Sequence, residues 1–120
     1  MNAIKKPSQS EVLMSAFNAA CESLGVSRKD KSAILGVDTS TLSRKVNVGF
    51  EPSSKTGELQ LHFIRLYRSL YSIAGGDKAF MQHWFSTDNK SLNGSPKALC
   101  LSIEGLFRTN QYLDAMRGKV

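Results

Sequence analysis

Apolar side chains recur along this chain at three- and four-residue steps, a spacing that marks helices burying one face rather than alternating strands. Leu13, Ala16, Phe17, Ala20 and Leu24 form the first such stripe and predict a helix from about Ser8 to Leu24. Ser8 with Glu11 three residues later has the form of a capping box, and Gly25 supplies a stop. A second, short helix is predicted over Arg28 to Leu35, capped by Ser27, with Asp30 in its first turn where a negative charge suits the helix dipole. Gly36-Val37-Asp38 then breaks the chain. Asp38 is a natural cap for a third helix, Thr39 to about Asn47, whose Ser and Thr content would not sustain it in isolation. Asn47 to Thr56, with Gly49, Pro52 and the Ser53-Ser54 pair, reads as a connector.

The longest helix is predicted from near Thr56 to Gly75-Gly76, with Glu58 in its first turn. Leu59, Phe63, Leu66, Leu70 and Ile73 make an a/d-like seam along it. Ile64, Tyr67 and Tyr71 widen the seam on one flank, and Glu58, His62, Arg65, Ser69 and Ser72 form a polar strip on the other. So broad an apolar face must be covered by neighbours, by a second subunit, or by both, which makes the seam a candidate dimer interface. Asp77 caps a further helix, Lys78 to about Ser86, expected to bury Phe80 or Met81 with Trp84 and Phe85. Asp88 to Ser95 reads as a polar loop closed by Gly94. Pro96 suits the first position of a short helix through about Leu101, and Ser102 caps the last helix, Ile103 to Met116, before a Gly118-Lys119-Val120 tail. No segment reads as a strand. The expected fold is all-α, with a helix-turn-helix unit over residues 1–53 and a small helical unit over 54–120.

The clearest chemical signal runs from Ser27 to Asn47. Two short helices meet across a three-residue turn that begins with Gly36, a residue that tolerates the left-handed backbone such a turn needs. Leu35, Val37, Leu42 and Val46 are expected to hold the pair together. The third helix then offers Thr39, Ser40, Thr41, Ser43, Arg44, Lys45 and Asn47 as the candidate DNA-facing set, all suited to base edges and phosphates. Arg44 is the best placed for a guanine or phosphate, and the positive helix end at Thr39 and Ser40 is a candidate phosphate site. The alternative is a helical hairpin with a polar surface. Helix-turn-helix proteins of the phage-repressor type usually carry Leu-Ala where Lys31-Ser32 stand here; Ser32 is small enough to pack, but Lys31 must point outward or snorkel.

Composition adds boundaries. A chain of 120 residues holds one modest domain, or two very small helical units sharing a core, and its apolar content of 41% argues against wholesale disorder. The net charge of +6 favours polyanionic partners, yet it does not single out one half. Residues 1–53 have seven Lys and Arg against five acids, and residues 54–120 have nine against five. No apolar run approaches the roughly 20 residues of a membrane-spanning helix, and no apolar stretch follows Lys5-Lys6, so a cytoplasmic, non-membrane protein is expected. Cys21 and Cys100 sit in apolar contexts and are expected as free, buried thiols. His62 and His83 lie on different helices without Cys, Asp or Glu at ligand spacing, so neither a metal site nor a cofactor is expected, and His62 is expected to pair with Glu58. With no nucleophile beside a base, an enzyme is not expected. Arg65 and Arg68 with Tyr67 and Tyr71 have the make-up of a basic-aromatic nucleic-acid patch, but a buried aromatic seam with two solvated arginines is the favoured reading.

The second half carries a resemblance. Trp84, Asn89, Leu92, Gly94, Pro96 and Leu99, followed by Ser102-Ile103-Glu104-Gly105 and a last amphipathic helix, resemble the toxin-binding domain of the Xre/MbcA/ParS antitoxins. The helix-turn-helix ahead of it is similar to the Xre-like N-terminal domain of that family, and so are the connector Ser53 to Leu59 and the ending Tyr112 to Met116. The Gly94–Pro96 loop is shorter than in many members, and Thr109 stands where an aliphatic residue is common. The resemblance implies a dimeric type II antitoxin that neutralises a RES-type toxin, one that consumes NAD or transfers ADP-ribose, and that represses its own operon. It also implies that the C-terminal region, here Met116, Arg117, Gly118, Lys119 and Val120, reaches the toxin's active-site cleft. A basic tail suits a cleft that holds the phosphates of NAD, though an ordinary frayed terminus has the same sequence. Trp84 and Glu104 mark the other expected toxin-facing surface. The runner-up is a stand-alone dimeric helix-turn-helix regulator whose second half only dimerises.

Overall fold

A computed structural model describes residues 5–118. Among them the chain forms seven helices: α1 (Gln9–Leu24), α2 (Arg28–Leu35), α3 (Thr39–Lys45), α4 (Lys55–Ala74), α5 (Lys78–Ser86), α6 (Pro96–Leu99) and α7 (Ile103–Arg117). The one β feature in this stretch is an isolated bridge between Asn89 and Gly94. The fold is all-α, as the periodicity requires.

Each helix begins where a side chain caps its free N–H groups. Ser8 and Glu11 close the capping box on α1: the Glu11 N–H donates to Ser8 Oγ at 3.1 Å and the Ser8 N–H donates back to Glu11 Oε1 at 3.0 Å. Ser27, Asp38, Ser54, Asp77, Ser95 and Ser102 cap the other six. Boundaries depart from expectation at a few ends. α3 stops at Lys45, two residues short of Asn47, and α6 stops at Leu99 instead of Leu101.

The core forms around three aromatic rings. Phe63 of α4 meets Phe17 of α1 edge-on at 5.6 Å between centroids and Phe85 of α5 at 6.1 Å. One cluster of buried side chains runs from Met14 through Leu42 to Leu113, so the stretches before and after Ser53 share a single core. α4 lies at its centre, packed by α1, α2, α5 and α7. This corrects the expected dimer seam. Phe63, Leu66 and Leu70 are enclosed within one chain, and Leu59 and Ile73 pack half-buried at the ends of the same row. The apolar face was real, but α1, α5 and α7 cover it.

Other expectations also change. Of the pair Phe80 and Met81, Met81 is buried with Phe85 while Phe80 faces solvent. Tyr71 is half exposed, so it does not belong to a buried aromatic seam. Leu92 is buried within the loop whose composition reads as polar, and Arg108 Nη2 donates to its carbonyl at 2.9 Å. His62 makes no pair with Glu58; its carbonyl accepts from Asn110 Nδ2 at 3.0 Å. Thr109 is tolerated at a fully buried position because its hydroxyl donates to the Gly105 carbonyl one turn back, at 2.8 Å. Gly105 lets the first turn of α7 lie on the backbone of α6: a Cβ there would collide with the Leu99 carbonyl. No helix among the described residues is long and apolar enough to cross a membrane.

Candidate functional site

The turn between α2 and α3 is built from three local features. Gly36 adopts the left-handed backbone, with φ of 65°, and its N–H closes α2 onto the carbonyls of Ser32 and Ala33. The Ser32 hydroxyl donates to the carbonyl of Val37, tying the end of α2 to the start of the turn. Serine is therefore more than a small packing residue at this position. Lys31 snorkels, its Nζ donating to Asn18 Oδ1 of α1 at 3.2 Å. Leu35 and Leu42 supply the buried contact between the helices, and Val37 packs beside them. Val46, expected to join that contact, is exposed just past the end of α3.

α3 buries only Leu42 and presents Thr39, Ser40, Ser43, Arg44 and Lys45 to solvent, with Thr41 partly covered. Asn47 is exposed in the turn that follows. Arg44 Nη2 donates to Thr41 Oγ1 at 3.1 Å, which lays the guanidinium along the helix surface. Arg28, at the start of α2, donates to Ser43 Oγ and to the Thr39 carbonyl, adding a cation beside the polar row. Its contribution is invisible to periodicity, because it reaches across 15 residues of sequence. The expected phosphate site at the start of α3 is changed by Asp38. Its carboxylate accepts the Thr41 N–H at 2.7 Å, and these hydrogen bonds hold its pKa below the usual carboxylate range. A negative charge already occupies that helix end, so a phosphate here would rely on side chains instead.

The second region lies on α5 to α7. Trp84 stacks on Tyr112 with centroids 6.3 Å apart and rings 20° from parallel. Glu104 is exposed in the first turn of α7, among Leu101, Ile103 and Phe107, which are 41%, 72% and 52% exposed. This apolar group was missed in the sequence, although Ile103 and Phe107 are one turn apart and are left over once Leu106, Thr109 and Leu113 are assigned to the core stripe. Met116 is half-buried and Arg117 ends α7, its Nη1 donating to Ser69 Oγ of α4 at 3.3 Å. Glu104 and Met116 are twelve residues apart on one helix, hence about 18 Å, whereas Trp84 stacks on Tyr112 one turn before Met116, so of the expected toxin-facing residues Glu104 is the one left apart from the C-terminal set. Lys119 and Val120 lie outside the described residues.

Both cysteines are free and buried, and burial pushes each thiol up to about 12, which keeps them protonated and unreactive near neutral pH. No group of three or more His, Cys, Asp or Glu among the described residues is placed to hold a metal ion.

A family model described as the antitoxin Xre/MbcA/ParS C-terminal toxin-binding domain matches residues 69–119. Residues 69–119 are thus similar to an Xre/MbcA/ParS toxin-binding domain. That match supports an antitoxin of the Xre/MbcA/ParS type, a class of non-enzymatic regulators with a toxin as partner. No curated protein matches the chain. The matched stretch begins in the last third of α4, at Ser69, and takes in α5, α6 and α7. Trp84, Glu104 and Met116 to Lys119 fall inside it, as do Leu101, Ile103 and Phe107; α3 and its polar row fall outside.

Proposed function

We propose that this chain is a cytoplasmic antitoxin that neutralises a RES-type toxin, binds operator DNA through α3, represses its own operon and acts as a homodimer. The observation that carries the reading is the match of residues 69–119 to the toxin-binding domain, a stretch folded as the last six residues of α4 with α5 to α7. Two features support it. Leu101, Ile103 and Phe107 form an exposed apolar group around Glu104 inside that domain, the kind of patch that marks a protein contact. α3 offers a polar, basic surface backed by Arg28, the kind of surface that meets base edges and phosphates.

The test is inhibition. The chain, purified with a RES-type toxin, is expected to abolish NAD consumption, and a toxin that stays active and unbound would leave only a stand-alone regulator. The role of the C-terminus is separated by truncation. Because Arg117 is anchored on Ser69, removing Gly118 to Val120 leaves α7 intact, whereas removing Arg117 as well breaks that contact. Lost inhibition with binding retained makes the tail a plug in the toxin's cleft. Lost binding makes it an anchor, and full inhibition moves the inhibitory surface to Glu104 and its neighbours.

A further inference from the structure

The burial of Phe63, Leu66 and Leu70 leaves open what a second subunit would contact. The outward face of α4 carries a different row: Glu58, Leu61, Arg65, Arg68 and Ser72, spaced by three and four residues and all exposed. Leu61 and Ile64 form one wall of an apolar trough of about 410 Å³ whose other wall is Val12, Leu13 and Ala16 of α1. Val12 is 54% and Leu61 49% exposed. Past Ile64 the trough opens into a larger groove of about 830 Å³ that runs to Arg68 and Tyr71. Single exposed apolar residues are ordinary, but a continuous trough beside an exposed row of charged side chains calls for an occupant.

The charges say which. Glu58 and Arg68 are ten residues apart on α4, about 15 Å, and neither makes a side-chain hydrogen bond or ion pair with another described residue. Their midpoint along the helix falls at residue 63, and the midpoint of Leu61 and Ile64 falls at nearly the same place. A surface with an apolar centre and opposite charges equidistant from it is complementary to itself under a two-fold rotation. Resting on the homodimer reading above, we propose that a second copy of this chain docks antiparallel on the outward face of α4. Leu61 and Ile64 lie at the two-fold axis, and Arg68 of each copy lies opposite the partner's Glu58. In the same register Arg65 falls opposite the partner's Leu61. Its stem lies over that apolar side chain while its head stays on Asp114, with which it forms an ion pair within the chain. Nucleic acid would leave the apolar trough without a contact. α3 flanks α1 along Met14 and Asn18, not along the Val12 and Ala16 edge that lines the trough, so α3 stays clear of the docked face.

The experiment uses charge reversal in the full chain, with mass followed by sedimentation and folding by circular dichroism. Glu58→Arg and Arg68→Glu each place like charges opposite one another twice per dimer, so each is expected to weaken association by about tenfold or more. Mixing the two variants pairs Arg with Glu at both ends, so a heterodimer is expected to form on mixing, and the double variant E58R/R68E is expected to dimerise alone. Restoration on mixing cannot come from misfolding. A wild-type dimer whose mass is unchanged in both single variants overturns this surface and leaves the homodimer reading standing. A wild-type monomer at tens of micromolar overturns both. If Arg68→Glu keeps the dimer but loses the toxin, or loses promoter DNA, the trough belongs to that partner and the proposal fails.

Discussion

α3 and α7 solve opposite problems with the same kind of element. α3 has seven residues and buries one of them, Leu42; α7 has fifteen and buries Gly105, Leu106, Thr109, Asn110 and Leu113. α3 is held from its ends and rim, by the Asp38 cap and by Arg28 reaching over to Ser43 and the Thr39 carbonyl. α7 is held from its face, by packing on α4 and α6. A helix stabilised from its ends keeps its face free for a partner. A helix stabilised through its face has only the remaining strip to offer, which on α7 runs from Ile103, Glu104 and Phe107 to Gln111, Asp114 and Ala115.

The contrast makes ordered predictions. Leu113→Ala removes a fully buried side chain from α7 and is expected to cost about 2–5 kcal/mol in urea denaturation. A loss much below that range would mean α7 does not share the common core. Arg44→Ala on α3 is expected to leave the melting temperature unchanged and to weaken operator binding by about 1–3 kcal/mol if the guanidinium reads a guanine. Unchanged affinity for the promoter of its own operon, measured at fixed salt, would remove α3 as the reader.

A smaller effect separates buried from exposed chemistry. Cys21 and Cys100 are raised from an ordinary value of 9.0 to about 12, so the stability they carry is complete below pH 9 and is lost as pH rises toward 12. Iodoacetamide at pH 8 is expected to label neither thiol until denaturant is added; rapid labelling of the native chain would show the core open at α1 or α6. The smallest effect belongs to Asp38. Its pKa is lowered by the hydrogen bonds from Thr41, so its stabilisation of α3 is present above its ordinary value of 3.8 and is lost as pH falls through the lower folded value. The Thr41 amide resonance is expected to move over that acid range, and to stop moving in Asp38→Asn.

Features written in neighbouring residues were legible in the sequence. α2 has the bounds it was given, because Ser27 and Gly36 bracket it and both act within four residues. The caps of α3, α5, α6 and α7 were likewise local, whereas Ser54, the cap of α4, reads in the sequence only as part of the connector. Spacing alone carries α3 past Lys45 by counting Val46 as a core contact, and nothing in its type distinguishes a buried valine from an exposed one. The α4 seam shows the deeper limit: periodicity tells which face is covered, not which neighbour covers it. Leu92 was hidden by the polar composition around it, since one apolar side chain makes no period. In the candidate sites, the polar row of α3 could be read from spacing, but Arg28 could not, because its reach depends on how α2 and α3 meet. The carboxylate that occupies the start of α3 was named as a cap, and its conflict with a phosphate follows only once the hydrogen bond to Thr41 is drawn.

Gly105 bears on how any search for the toxin contact should be interpreted. Its lack of a side chain brings α7 against the Leu99 carbonyl, beside exposed Ile103, Glu104 and Phe107. A mutational scan for lost neutralisation would therefore score every replacement at Gly105 as damaging, as strongly as a true contact residue. The position would masquerade as a hot spot. Its neighbours would be displaced together with the helix that carries them, so only variants that keep glycine at 105 can map the surface around it.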